Sequence, residues 1–128
     1  MKGLIVFAHG STIESANEAV HSVTVELARR TGCRVETAFL DCAPPTMADA
    51  VARLTKDGIR KIVVLPYFLT LGVHLQRDLP AIVERLRPIY IDVEFTITDP
   101  LDGHPALLDI LIDRYNGIVS EEGNRSEG

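Results

Sequence analysis

The chain has 128 residues, 46% of them hydrophobic, and a formal net charge of −5, a size that supports one compact core and not two. Residues 1–64 carry eight Lys or Arg against seven Asp or Glu, and residues 65–128 five against eleven. Neither half is basic and no Lys/Arg run is interleaved with aromatics, which excludes a nucleic-acid partner tracked through its phosphates.

Strand and helix patterns alternate along the chain. GLIVFA (3–8) is a short apolar run bounded by Gly10 and Ser11, and reads as a strand buried on both faces. Residues 14–30 place Ala16, Ala19, Val20, Val23, Leu27 and Ala28 at helical spacing before Gly32. VETAFL (35–40) is the second strand, and a second helix opens at Pro44, Pro45 and Thr46 and closes on Gly58. IRKIVVLPYFL (59–69) is the third strand, followed by a helix with DLPAIVERLRP as its core, in which Pro80 is expected in the first turn. YIDVEFTIT (90–98) and HPALLDILIDRYNG (104–117) make a fourth unit.

Four βα units in succession predict an α/β fold, a small doubly wound domain with a four-stranded parallel sheet flanked by helices. The domain is expected over 1–118, with 119–128 a disordered polar tail. No run of about 18 uncharged apolar residues suggests a membrane span, and MKGLIVFAHGS lacks a signal-peptide cleavage site. Cys33 and Cys42 form no CxxC motif, so reduced thiols in a soluble, cytoplasmic protein are expected.

In such sheets ligands sit outside the carboxyl ends of the strands. His9 directly follows the first strand, Asp41 and Cys42 follow the second, His74 lies in the segment leaving the third, and Asp99, Asp102 and His104 follow the fourth. His21 falls inside the first helix and reads as solvated or partner-facing. Each rim residue has a plain structural reading. His9 could be satisfied by backbone, His74 and Asp41 could cap helices, and His104 before Pro105 could mark a helix start. Gly10 and Ser11 could form an anion-holding turn. Together, two imidazoles and a carboxylate on one rim suit a divalent first-row transition metal and acid–base work near neutral pH.

The order AHGS, VETAFLD, VVLPYFLTLGVHLQRDLP and DPLDGHPALLDILIDR resembles the small CbiX family of sirohydrochlorin chelatases, relatives of the class II anaerobic cobalt and iron chelatases. The similarity spans roughly residues 3–115, and the third block is its most specific part. The resemblance implies insertion of a divalent metal, cobalt first and iron or nickel as alternatives, into the tetrapyrrole sirohydrochlorin. The metal is then a substrate, and no organic cofactor is expected. His9 and His74 are implied as catalytic and metal-binding residues, with Asp41 as a further metal ligand. Relatives commonly carry Glu at that position, and Arg where Thr12 stands here. Gly10, Ser11, Arg77 and His104 are candidates for contacts to the substrate. A macrocycle is large for one four-stranded rim, so the resemblance also implies a homodimer that builds one cleft from two rims.

Three other readings remain open on the residues alone. A flavodoxin-like module would hold an anion or nucleotide at HGST. A hydrolase would use Ser11 with His74 and Asp41, although G-x-S-x-G is absent. A metal carrier would bind the ion without inserting it.

Overall fold

The computed structural model describes residues 1–127, with side chains described as far as Glu121; Gly128 lies outside the described residues. The chain runs β1 (Lys2–Ala8), α1 (Glu14–Thr31), β2 (Arg34–Phe39), α2 (Met47–Lys56), β3 (Lys61–Pro66), α3 (Val73–Leu86), β4 (Glu94–Ile97) and α4 (Pro105–Glu127). The four strands form one parallel sheet in the order β2-β1-β3-β4. Strand order therefore reverses at β1, whose neighbours β2 and β3 lie on opposite sides. The crevice for a ligand in this class of sheet opens beyond the carboxyl ends of β1 and β3.

Alternation within the strands decides which helix covers which face. Ile5 and Phe7 of β1, Ala38 of β2, Ile62 and Val64 of β3 and Phe95 of β4 join one buried cluster. Ala50, Val51 and Leu54 of α2 and Leu79, Val83 and Leu86 of α3 close it from above. The other face is covered less completely. Val6 and Thr37 are buried under α1, where Thr24 Oγ1 lies 2.8 Å from Thr37 Oγ1. On β3 and β4 the same face leaves Val63 and Leu65 half-buried and Thr96 exposed.

α2 begins at a capping box. The Thr46 hydroxyl accepts the Asp49 N–H at 3.1 Å, and the Asp49 carboxylate accepts the Thr46 N–H at 3.0 Å. The Thr46 N–H, and then its side chain, hold the Asp49 carboxyl below its ordinary pKa. A depressed carboxyl stabilises the fold above the usual carboxylate range and loses that contribution as pH falls toward the lowered value. Thr46→Ala should cost about 1 kcal/mol, read as a lower urea midpoint at unchanged slope.

Two helices differ from the sequence reading. α3 starts at Val73, so Pro80 lies in its interior rather than in its first turn. An interior proline costs roughly 3 kcal/mol, but the stripe of Leu79, Val83 and Leu86 buried on the sheet holds the helix together through it. Asp78 consequently sits in the helix body, and the N-cap is Gly72, which offers no side chain. α4 does not stop at Gly117: it runs on through Glu127, across most of the segment read as a tail. Among the described residues, no helix is long and apolar enough to cross a membrane.

Candidate functional site

The rim is built by backbone pairing that continues past the strands. After the Ala8↔Phe39 register pair, Leu40 N–H donates to the Ala8 carbonyl at 2.9 Å and Asp41 N–H to the His9 carbonyl at 3.0 Å. On the other side of β1, Tyr67 N–H donates to the Phe7 carbonyl at 2.7 Å. His9 and Asp41 are therefore neighbours because the ladder places them so.

Gly10 makes that closeness feasible. Its φ is +90°, a left-handed conformation that costs side-chain-bearing residues energy. A Cβ built there would stand 1.9 Å from the Asp41 carbonyl oxygen. The glycine in AHGS is thus required twice, by backbone conformation and by the approach of the β2 exit. Ser11 follows as a fixed corner. Its N–H donates to Asn17 Oδ1 at 3.0 Å, its carbonyl accepts from Asn17 Nδ2 at 2.8 Å, and its Oγ accepts the Ile13 N–H at 3.0 Å. Asn17, in the first turns of α1, escaped the sequence reading because asparagine inside a helical pattern reads as an ordinary exposed position.

His9 itself is exposed, with its ring edge-on to Phe68 at 6.4 Å between centroids. Phe68 also meets Phe7 at 5.9 Å, and its carbonyl accepts the Leu101 N–H at 3.1 Å. This aromatic in the β3–α3 connection therefore ties His9, the core and the β4 exit together. Its place in LPYFL was the available signal for it.

His74 is the second residue of α3 and is exposed on the helix's first turn. Its Nδ1 lies 3.4 Å from an Arg77 Nη, and Arg77 Nε lies 3.8 Å from Asp78 Oδ1. His74 is thus delivered by a helix start, not by the end of a strand, since β3 stops at Pro66. Both imidazoles nonetheless stand at the carboxyl end of the sheet, one after each strand that flanks the point where strand order reverses.

The remaining candidates separate. Asp41 Oδ1 accepts the N–H of Cys42, which has φ +69°, at 2.8 Å, so the carboxylate is partly engaged by its own turn. His104 Nδ1 accepts the Ala106 N–H at 3.0 Å, which caps α4. Nε2 then carries the proton. His21 is not simply solvated: its Nδ1 lies 3.0 Å from Thr37 Oγ1 and its ring stands edge-on to Phe39 at 5.4 Å. Among the described residues, no three of His, Cys, Asp and Glu are grouped closely enough to hold one metal ion, so His9, His74 and Asp41 do not form a closed ligand set within one chain. Beside the rim, a cavity of about 600 Å³ opens between α2 and α3. Phe7, Phe39 and Ile82 give it apolar walls, with Asp78 and Arg85 among its polar lining.

His9 and His74 each expose an imidazole, a group that can ligate an ion or accept a proton, and Arg77 exposes a guanidinium. The CbiX family model matches residues 3–118. The sirohydrochlorin cobaltochelatase of Methanopyrus kandleri is 28% identical over 95% of this chain and all of its own length. That of Saccharolobus solfataricus is 30% identical, covering 91% of this chain and 94% of its own. The chloroplastic sirohydrochlorin ferrochelatase of Arabidopsis thaliana is 31% identical over 98% of this chain, which spans 56% of that protein. Among solved structures, the CbiX protein of Marinobacter aquaeolei VT8 superposes with a TM-score of 0.81 at 27% identity, covering 98% of this chain and 99% of its own. SirB from Bacillus subtilis subspecies spizizenii, in complex with cobalt, shares the fold at a TM-score of 0.85 and 19% identity, and this chain covers half of it. With a family model matched across nearly its whole length, the chain belongs to the CbiX family.

Proposed function

We propose that this protein is a sirohydrochlorin chelatase that inserts a divalent metal, cobalt first among the candidates, into the macrocycle. The observation that carries the reading is the pair of exposed imidazoles, His9 and His74, on the rim of a chain that matches CbiX over residues 3–118. Insertion joins M²⁺ to four ring nitrogens and releases two pyrrole protons, so the ion must leave its waters and the protons need acceptors. A neutral imidazole serves either need, as a nitrogen donor or as a base. A closed four-ligand protein site would retain the ion, whereas two flexible exposed donors release it to a tetradentate ring.

Substrate recognition falls to the same rim. Arg77, one helical turn after His74 and exposed, suits a carboxylate arm of the macrocycle. Asp41, one methylene shorter than the Glu common in relatives, reaches the ion through a water. Ser11 and Gly10 act by holding the His9 turn in shape. The hydrolase reading loses support because the Ser11 hydroxyl bonds to the Ile13 N–H. The anion-turn reading loses support because the Ser11 N–H is taken by Asn17.

The working unit is a homodimer in which two rims enclose one macrocycle, a reading supported by the open donor set of a single chain and by this chain's covering half of SirB. Two free thiols, Cys33 and Cys42, fit a cytoplasmic setting. The deciding experiment is anaerobic incubation with sirohydrochlorin and Co²⁺, Fe²⁺ or Ni²⁺ in turn, followed by absorbance. Enzyme-dependent conversion to the metallated spectrum, fastest with Co²⁺, is expected. Conversion no faster than the protein-free rate with all three ions would overturn the proposal.

A further inference from the structure

The cavity between α2 and α3 starts at the rim. Leu40, next to Asp41 at the exit of β2, forms one lip, and Asp78, one helical turn after His74, forms the other. From there the cavity follows α3. His74, Asp78, Ile82 and Arg85 are spaced by four, four and three residues, so they share one face of the helix over about three turns, and the last three line the cavity. Phe7 and Phe39, both buried, give it an apolar floor. At about 600 Å³ it has the size and character of a small-molecule site, mostly apolar with a few placed polar groups.

The two charges in this lining are not equivalent. The Asp78 carboxylate has a cation beside it, with Arg77 Nε at 3.8 Å. Arg85 takes part in no ion pair among the described residues. Side chains on a helix lean toward its N-terminus, so the Arg85 guanidinium reaches back along the cavity toward the rim. A group entering from the rim therefore meets apolar walls, passes a carboxylate that already has its cation, and ends at a guanidinium that has no anion. That order suits a flat apolar ring edge with a carboxylate at its far end. One pyrrole of a tetrapyrrole, with its carboxylate arm, is such a group. The centre of the macrocycle has to stay at His9 and His74 to receive the ion, so only an edge of it can enter.

We infer that the cavity between α2 and α3 holds one pyrrole edge of the macrocycle and that Arg85 pairs with the carboxylate arm on that edge. The inference rests on the chelatase reading above and adds to Arg77 a second anchor, which fixes how the ring is turned over the two imidazoles.

Titration of metal-free sirohydrochlorin onto the full chain, followed by absorbance, tests it together with insertion kinetics using Co²⁺. Arg85→Ala should raise the Kd and the KM for the macrocycle about tenfold, the usual loss for a charge-assisted pair, with kcat at saturation changed by less than about twofold and Co²⁺ affinity unchanged. Arg85→Glu should raise both by about a hundredfold, because it sets like charges against each other. Arg53→Ala removes the same charge from α2, outside the cavity, and should leave both constants as they are. Ile82→Trp narrows the cavity without touching a charge and should raise both about tenfold, with circular dichroism confirming that the variant is folded. Arg85 variants that bind and insert like an active wild type overturn the subsite and leave the chelatase reading standing. An equal rise in Arg53→Ala means that net charge steers the substrate and overturns Arg85 as its partner. A folded Ile82→Trp with wild-type constants puts the arm outside the cavity and overturns the site. A wild type that neither binds the macrocycle nor inserts Co²⁺ overturns the chelatase reading and the subsite with it.

Discussion

His74→Ala should lose cobalt binding and metal insertion together, with turnover down at least about a hundredfold, while the melting temperature stays nearly constant. The constancy follows from the position. The helix is capped at Gly72 without a side-chain bond, and His74 contributes nothing to the buried stripe of Leu79, Val83 and Leu86. Alanine also favours a helix slightly more than histidine does, by a few tenths of a kcal/mol, so any shift in stability should be upward. His9→Ala should lose as much activity with a change of less than about 1 kcal/mol in stability, since the substitution removes an edge contact with Phe68 and a long, exposed contact of Nδ1 with the Gly10 carbonyl at 3.4 Å. Calorimetry with Co²⁺, the insertion assay and a thermal melt on the same preparation separate these outcomes. Wild-type turnover in either variant would remove that imidazole from the mechanism.

Gly10→Ala should be the most damaging single-methyl change on the rim, at about 3 kcal/mol or more of stability together with loss of activity. Strain from a positive φ alone is worth about 1–3 kcal/mol. Here the added Cβ also meets the Asp41 carbonyl at 1.9 Å, so the β1 and β2 exits must separate and the Asp41–His9 hydrogen bond must break. Gly32 provides the internal control. It too has positive φ, +71°, but its missing Cβ would meet nothing within 4 Å. Gly32→Ala should therefore cost only about 1 kcal/mol. Urea denaturation of both variants measures the difference. Equal midpoints would mean that the β2 exit yields freely to the methyl group.

The strands were legible because their burial is written in composition. IVVLP and LIVFA are uninterrupted apolar runs of strand length, with one face sunk in the core and the other at least half-covered, and the Gly10 and Gly32 boundaries needed no tertiary information. The rim was legible by the same logic, since a residue directly after a parallel strand must stand at its carboxyl end. His9 and Asp41 fell where that argument put them. His74 reached the rim by another route. A proline is tolerated in a helix's first turn, so DLPAIVERLRP alone places Pro80 there and the helix start several residues late. Tertiary burial of Leu79 won over the penalty of an interior proline, which no local window can weigh. Asn17 and Phe68 stayed hidden for a different reason. Their roles are defined by the Ser11 backbone and the His9 ring, partners that become neighbours only once the sheet is closed. His21 was half legible: its helix was read correctly, but its hydrogen bond to Thr37 depends on which turn of α1 lies over β2.

The proline inside α3 also bears on how the first turn of that helix moves. Pro80 has no N–H, so the Gln76 carbonyl, four residues earlier, has no helical donor. The hydrogen-bond ladder thus lacks one bond between the turn that carries His74 and Arg77 and the turns seated on the sheet by Val83 and Leu86, and the exposed first turn frays at a lower free energy than the whole domain unfolds.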